Sequence, residues 1–529
     1  MKKIKNYYGL PGTGKTTALL KEVDGFIAAG YGLEDICFCT YRRKMANEIY
    51  HRIKNERGLS NDESKEALRY FTTIHGVCRR ILNPDIKVVD KNEIKKFCEN
   101  YGYNLSESDD GMKQTGNVFF TIKTWLAAHN KTPKDFNEYP GVFETSIHKE
   151  RFIKMYSNWD KWKSEGDMID YDDMLLDVIE EKASPPIKIL IVDEFQDMNP
   201  LQFRVYEIWR DSAEQTIIAG DPNQSIYGFM GASPYFFINE GEEKIILRHT
   251  HRLNEVTWNF ARSIIERNEP IPDITTNNRG GEVKEVFDIL SHIDLNKKTY
   301  IIYRCNYIGE VVKDTLDKSG IPYLGSRFGW TEREINIYNC IFKLRLGEQE
   351  INKDELISFL NILKSNYVKN IKKTRMDEIL PSTMTTKKAR IYLNPFFIED
   401  IIHSSFNSEF TIKSGLSSKQ EKKIDVSLRK YKKIISNVGN IFIGTIHSVK
   451  GGECEDTFLL GNVTNRILRN MRNNPEDYKE ENRVFFVGST RHTNRLFIIK
   501  DYLHTGTTFN FPSIERIKHS VNVGEVINK

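Results

Sequence analysis

Short apolar runs rich in Ile, Val and Phe punctuate the chain: Ile36 to Cys39, Ile187 to Val192, Thr216 to Ala219, Tyr300 to Tyr303, Ile441 to Gly444 and Leu496 to Ile499. They lack the alternation of a half-exposed strand, so they predict strands buried on both faces, as in a parallel sheet covered by helices. Most are followed by turn or polar residues and then by helical periodicity, as in Lys15 to Val23 and Arg43 to Ile53. That order predicts an α/β fold. The runs fall into two groups, before about Gly231 and after about Glu282, which predicts two sheets.

Two stretches break the pattern. From Pro84 to about Gly166 the sequence is polar, with aromatic residues at helical spacing (Trp125, Phe152, Tyr156, Trp159, Trp162). From about Glu332 to Asn440 it is rich in Lys and Asn, with amphipathic segments. Both predict helical insertions into α/β cores, and Lys413 to Lys433 predicts a solvated helix or mobile segment.

Composition narrows the function classes. A length of 529 residues corresponds to roughly two to four domains. Lys and Arg number 77 against 73 Asp and Glu, a net charge of +4, so a nucleic-acid partner would have to meet a local basic surface. With 39% apolar and 28% charged residues, a chain disordered throughout is excluded. No run approaches the roughly 18 apolar residues of a membrane span, and Met1-Lys2-Lys3-Ile4-Lys5 meets Pro11 and Gly12 before a signal-peptide core could form. A cytoplasmic protein without a membrane partner is expected. The seven cysteines include Cys37 and Cys39 but no C-x-x-C pair, so they predict reduced, mostly buried thiols.

The strongest candidate chemistry is Gly9-Leu10-Pro11-Gly12-Thr13-Gly14-Lys15-Thr16, which fits G-x-x-x-x-G-K-[ST] between a short strand and a helix. Glycines let backbone N–H groups wrap phosphates and the helix N-terminus adds its dipole. Lys15 reaches the outer phosphate oxygens, and Thr16 offers a hydroxyl to Mg²⁺. Gly12, Thr13, Gly14, Lys15, Thr16 and Thr17 are therefore the expected phosphate cradle. Alone, the loop says only that a nucleoside triphosphate binds. Ile189 to Asp197 supplies an apolar strand ending in Asp193 and Glu194, suited to holding Mg²⁺ (Asp193) and polarising a water (Glu194).

With Asp193-Glu194-Phe195-Gln196-Asp197 followed by Gly220-Asp221-Pro222-Asn223-Gln224-Ser225-Ile226-Tyr227-Gly228, the chain resembles superfamily 1A helicases of the UvrD/Rep/PcrA kind. The resemblance continues in order through Thr40 to Ala46, Thr73-Ile74-His75-Gly76, Asp170 to Leu175, His251-Arg252, Tyr303-Arg304-Cys305-Asn306, Thr445 to Glu453 and Val487-Gly488-Ser489-Thr490-Arg491. It implies two RecA-like parallel-sheet P-loop domains with helical insertion subdomains. The first domain would comprise 1–83 and 167–245, with a helical insertion at 84–166. The second would comprise 246–331 and 441–529, with a reduced insertion at 332–440.

For function the resemblance implies an ATP-dependent, Mg²⁺-using 3′→5′ translocase and helicase acting on single-stranded DNA and single-strand/duplex junctions, in DNA repair or replication. The alternative is a DNA-stimulated NTPase subunit that senses or loads DNA for a partner nuclease, for example in phage defence, without processive unwinding. Glu194, Gln224, Arg252 and Arg491 are the implied catalytic residues, both arginines reaching the γ-phosphate from the second half across a cleft. His251 would meet the base and Glu453 the ribose. Tyr41, Arg42, His75, Tyr227, Phe229 and His447 would bear on the strand, with Arg43 and Lys44 as local positive charge. His251 replaces the family's adenine-stacking Tyr, Phe229-Met230 replaces its Trp-Arg, and the P-loop begins at Gly9 with no glutamine motif ahead of it. Similar use of ATP and GTP is therefore expected.

Overall fold

The computed structural model describes residues 4–106, 114–241, 243–277, 280–325, 329–403, 416–435 and 440–515. By contact the chain divides into two units, 1–258 with 262–279 and 476–486, and 259–261 with 280–475 and 487–529.

In the first unit the strands are β1 (Ile4–Gly9), β2 (Ile36–Thr40), β3 (Phe71–Thr73), β4 (Lys87–Val88), β5 (Met168–Ile169), β6 (Ile189–Val192), β7 (Gln215–Gly220), β8 (Glu243–Leu247), β9 (His249–Asn254) and β10 (Thr275–Asn277). Six of them form one sheet in the order β3-β2-β6-β7-β1-β8, with every pairing parallel. Every residue of β2 and β6 is buried, as their unbroken apolar runs require. Strand β8 opens with Glu243 and Lys244 and is half-exposed along its length, which suits it to the sheet edge. Because the strands are parallel and β6, β7 and β1 are neighbours, three loops leave the same end of the sheet side by side: the P-loop after β1, Asp193-Glu194 after β6 and Asp221 after β7.

The aromatic stretch folds as helices Lys91–Asn100, Thr115–Ala128 and Lys149–Glu165 around Phe97, Phe119, Phe152 and Trp159. The acidic stretch beyond it has a structural task. Asp170 caps helix Tyr171–Glu181, accepting from the N–H groups of Asp172 and Asp173, and its charge is met by the buried ammonium groups of Lys123 at 2.9 Å and Lys163 at 3.2 Å.

The second unit contains β11 (Glu282–Glu285), β12 (Thr299–Tyr303), β13 (Leu324–Gly325), β14 (Glu350–Asn352), β15 (Thr383–Thr385), β16 (Ile441–Thr445), β17 (Cys454–Leu460) and β18 (His492–Ile499). Its sheet runs β11-β18-β17-β12-β16-β13, again parallel. Segment 332–440 adds helices Glu332–Leu346, Lys353–Ile362 and Ser418–Lys430 and the antiparallel pair β14–β15, and its apolar residues join the core of that sheet. Residues 404–415, where the expected solvated stretch begins, lie outside the described residues.

Both insertions are absorbed into their units, and the boundary expected at 246 is displaced. Residues 249–258 and 262–279 group with the first unit because β9 is bound to the P-loop. The His251 N–H donates to the Gly12 carbonyl at 2.9 Å, and the Thr250 hydroxyl donates to the Pro11 carbonyl at 2.8 Å. All seven cysteines are free and only Cys305 is not buried. No helix among the described residues is long and apolar enough to cross a membrane.

Candidate nucleotide and strand sites

Gly12 and Gly14 take left-handed backbone angles, φ 74° and 81°, a conformation glycine adopts without steric cost. Gly14 caps helix Lys15–Ala28, so the first-turn N–H groups of Lys15, Thr16 and Thr17 face the loop without intrahelical acceptors. A side chain at Gly9 would force Thr13 and Lys15 to shift. A Cβ there would lie 2.4 Å from Thr13 Oγ1 and 2.7 Å from Lys15 Cγ. The Lys15 ammonium donates to the Gly9 carbonyl at 2.7 Å, and the Thr13 hydroxyl to the Leu10 carbonyl at 2.8 Å.

Thr16 Oγ1 donates to Asp193 Oδ2 at 2.8 Å. Burial first, and then the neighbouring Glu194 carboxylate, push the Asp193 carboxyl up to about 6. A hydroxyl and a carboxylate at the head of a glycine cradle are hard oxygen donors of the kind Mg²⁺ takes together with phosphate oxygens. The residues present therefore fit a Mg²⁺-nucleotide, and among the described residues no cluster of three or more His, Cys, Asp or Glu competes for a metal.

Glu194 stands at φ 55°, a left-handed position for a non-glycine residue at the turn after β6. Its carboxylate accepts from Gln196 Nε2 at 2.6 Å. Gln196 Oε1 in turn accepts from the Asp221 N–H at 2.9 Å, and Asp221 Oδ2 accepts from Gln224 Nε2 at 2.7 Å. Gln196 and Asp221 are fully enclosed. Burial raises the Asp221 carboxyl, opposed by the positive charge of Lys15. These two residues were legible only as members of their motifs; no role could be assigned from spacing, because each acts by bridging loops from two different strands.

Arg252 departs from the expectation of an arginine delivered by the second half. It lies in β9 of the first unit, and a Cβ on Gly12 would meet Arg252 Cβ at 2.5 Å. His251 beside it is exposed, its ring 4.6 Å from that of His249. Arg491 belongs to the second unit and is 1% exposed. Its Nε donates to the Val487 carbonyl at 2.9 Å and its Nη2 to Thr490 Oγ1 at 2.9 Å; Nη1 reaches the Gly452 carbonyl at 3.4 Å. Glu453 is exposed next to that carbonyl, and His447 is half-buried in the turn Ile446–Val449.

A second cluster forms from the loops after β2 and β7. Tyr41 and Tyr227 stack with ring centroids 5.4 Å apart and 23° between planes. The Arg42 guanidinium lies 5.6 Å over the Tyr227 ring and hydrogen-bonds its hydroxyl. Phe229 continues the row, 6.2 Å from Tyr227 and 58% exposed. Tyr227 itself is buried, so Phe229 is the outer face. His75 makes its ring contact with the exposed Tyr171, 5.5 Å away at 89°, and burial lowers its imidazole to about 4; it is neutral at pH 7.

Comparison with known proteins identifies the family. Residues 8–244 match the family model of the UvrD/REP helicase N-terminal domain, and residues 421–502 match that of the UvrD-like helicase C-terminal domain. The ATP-dependent DNA helicases PcrA of Staphylococcus aureus (strain Mu50) and Staphylococcus epidermidis (strain ATCC 12228) are each 24% identical over 369 residues, 61% of this chain and 49% of theirs. The chain thus spans about half the length of these relatives. Two family models matching in the expected order, one on the unit whose parallel sheet carries the P-loop and the paired carboxylates Asp193 and Glu194 and one on the unit with the second parallel sheet, establish that the chain belongs to the UvrD/Rep family, the superfamily 1A helicases of the UvrD/Rep/PcrA type.

Proposed function

We propose that the chain is an ATP-dependent 3′→5′ translocase and helicase on single-stranded DNA, engaging single-strand/duplex junctions and using Mg²⁺. The observation that carries this reading is the continuity between the two clusters of the first unit. Glu194, Gln196, Asp221 and Gln224 form one hydrogen-bonded row, and Tyr227, three residues beyond Gln224, bears the aromatic stack. A change at the hydrolysis carboxylate therefore reaches the strand-facing rings through two buried side chains and one short segment.

In this reading the Lys15 ammonium leaves the Gly9 carbonyl for the β- and γ-phosphate oxygens, and Thr16 with Asp193 holds the metal. Mg²⁺, when bound there, supplies charge neutralisation on the transferring phosphoryl group. Glu194 orients the attacking water and accepts its proton, while Gln196 fixes the carboxylate against rotation. Gln224 senses the γ-phosphate. Tyr41, Tyr227 and Phe229 offer stacking faces indifferent to base identity, and Arg42, with Arg43 and Lys44, meets phosphates. His447, Glu453 and Arg491 of the second unit are assigned to strand, ribose and γ-phosphate from their motifs. Repair or replication proteins are the proposed partners.

Strand displacement by the purified chain alone tests the reading, using substrates with a 3′ or a 5′ single-stranded tail. Unwinding from the 3′ tail is expected. DNA-stimulated hydrolysis without displacement of either substrate would instead assign the chain to a partner-dependent assembly, and displacement from the 5′ tail would reverse the polarity.

A further inference from the structure

After β17 the second unit carries a nine-residue helix, Asn465–Asn473, made of three Arg, three Asn and three apolar residues. Thr464 caps it, its hydroxyl accepting from the Ile467 N–H at 3.2 Å, and Pro475 lies just beyond its end. Helical spacing sorts its residues cleanly. Ile467, Leu468 and Met471 share one face and are all half-buried. Asn465, Arg466, Arg469, Asn470, Arg472 and Asn473 share the other and are all exposed. The apolar face holds the helix down, and the outer face presents three guanidinium groups and three amides with no carboxylate among them.

Charge makes this face a departure from its surroundings. The whole chain is close to neutral, at +4 over 529 residues, and its exposed helices elsewhere carry i,i+4 ion pairs such as Arg52–Glu56 and Arg262–Glu266. Among the described residues neither Arg469 nor Arg472 is in an ion pair. Like charges at i and i+3 repel one another, so Arg469 and Arg472 cost stability unless an anionic partner lies over them. Arg466 and Arg472 are separated by about 9 Å along the axis. That length suits successive backbone phosphates, and guanidinium forks and amides are the side chains that bond phosphate oxygens.

The face holds no aromatic residue, so it offers no platform for unstacked bases, in contrast to the Tyr41–Tyr227–Phe229 row. We infer that helix Asn465–Asn473 is a contact for the phosphate backbone of duplex DNA, distinct from the single-strand contacts of the first unit. The inference deepens the proposed function and rests on it only for the identity of the nucleic acid. Arg466, Arg469 and Arg472 hold the duplex, and the three asparagines add hydrogen bonds that do not depend on sequence.

The test is the triple substitution Arg466→Gln, Arg469→Gln and Arg472→Gln, with the corresponding triple Lys variant beside it, in the full chain. Binding of a blunt 20-base-pair duplex and of an oligothymidine strand is followed by anisotropy across a salt series, with thermal melting as the folding control. The Gln variant should lose about tenfold or more in duplex affinity, and its salt slope should fall by about two to three, near 0.9 for each phosphate contact removed. Oligothymidine binding and oligothymidine-stimulated ATP hydrolysis should stay within twofold. The Lys variant should keep most of the slope, because counterion release depends on charge. A duplex affinity and slope unchanged in the Gln variant would overturn the inference, as would equal losses on duplex and single strand. Failure of the parent protein to unwind DNA, with the duplex-specific loss still present, would remove the helicase reading and leave this contact standing.

Discussion

Replacing Gln196 by Leu should separate the positioning of the hydrolysis carboxylate from the binding of nucleotide. The two side chains are similar in size, so the enclosed site keeps its packing while losing two hydrogen bonds, one to Glu194 at 2.6 Å and one from the Asp221 N–H at 2.9 Å. The orphaned Asp221 amide is fully buried and should cost about 1–3 kcal/mol of stability. Glu194 loses its hydrogen bond from Gln196 at a strained left-handed residue, and a displacement of about 1 Å in a reacting group costs about 10² in rate. Turnover with saturating single-stranded DNA should therefore fall about 10²-fold while KM for ATP stays within about threefold, since no phosphate contact is removed. Gln196→Glu gives a sharper signature. It keeps an acceptor for the Asp221 N–H but sets a second carboxylate oxygen against that of Glu194, and the pair must share a proton. In the proposed role Glu194 accepts a proton only when ionised, so the acidic limb of the pH–rate profile should move upward and activity recover as pH rises. A Leu variant turning over within threefold of the parent, at equal folded fraction, would show that Gln196 does not orient Glu194.

Lys15→Ala should abolish DNA-stimulated hydrolysis while anisotropy finds single-strand affinity within a few-fold of the parent; hydrolysis close to the parent rate would remove the P-loop assignment. Arg252→Ala and Arg491→Ala should each lower stimulated turnover by about 10³ or more with a far smaller loss of nucleotide binding, and Lys should not restore either because it lacks the planar fork. Arg491 is buried and bonded to Val487, Thr490 and Gly452, so its rates are to be normalised to the folded fraction from thermal melts. The Asp193 carboxyl, raised from 3.8 to about 6, keeps a proton in the folded apo protein that the unfolded chain has released. Stability should thus fall by about 3 kcal/mol as pH rises from about 4 to about 6 and level off above. Asp193→Asn removes this dependence, so its stability relative to the parent should grow across that window in urea melts without Mg²⁺ or nucleotide; a constant difference would contradict the raised pKa.

The sequence disclosed the parts of the fold whose chemistry is local. Strands β2, β6, β7, β12 and β16 were legible because both faces are buried and the runs are unbroken. Strand β17 escaped notice because it starts Cys454-Glu455-Asp456, and the burial of Asp456 depends on Arg495 of the neighbouring β18, with Nε 3.1 Å from both carboxylate oxygens. Strand β8 was hidden by the polar residues of an edge position. The same division holds at the site. Lys15 and Thr16 were readable as candidates from the motif spacing and Asp193 and Glu194 from the end of an apolar strand, whereas the hydrogen bonds of Gln196 and Asp221 arise where two loops meet, and no periodicity encodes that meeting.

Gly12 illustrates how a motif can be read correctly and still incompletely. As a member of the P-loop pattern it is expected to let the backbone wrap phosphates, and the structure adds that it stands at φ 74°. A Cβ at this position would also sit 2.5 Å from Arg252 Cβ and 2.8 Å from Thr250 Oγ1, so the missing side chain is equally what lets β9 lie against the loop. The hydrogen bonds from His251 and Thr250 to the carbonyls of Gly12 and Pro11 depend on that approach. One glycine thus serves the proposed phosphate cradle and the seating of Arg252 together. It also accounts for the displaced domain boundary: a segment anchored by two loop carbonyls folds with the loop, whichever unit the chain enters next.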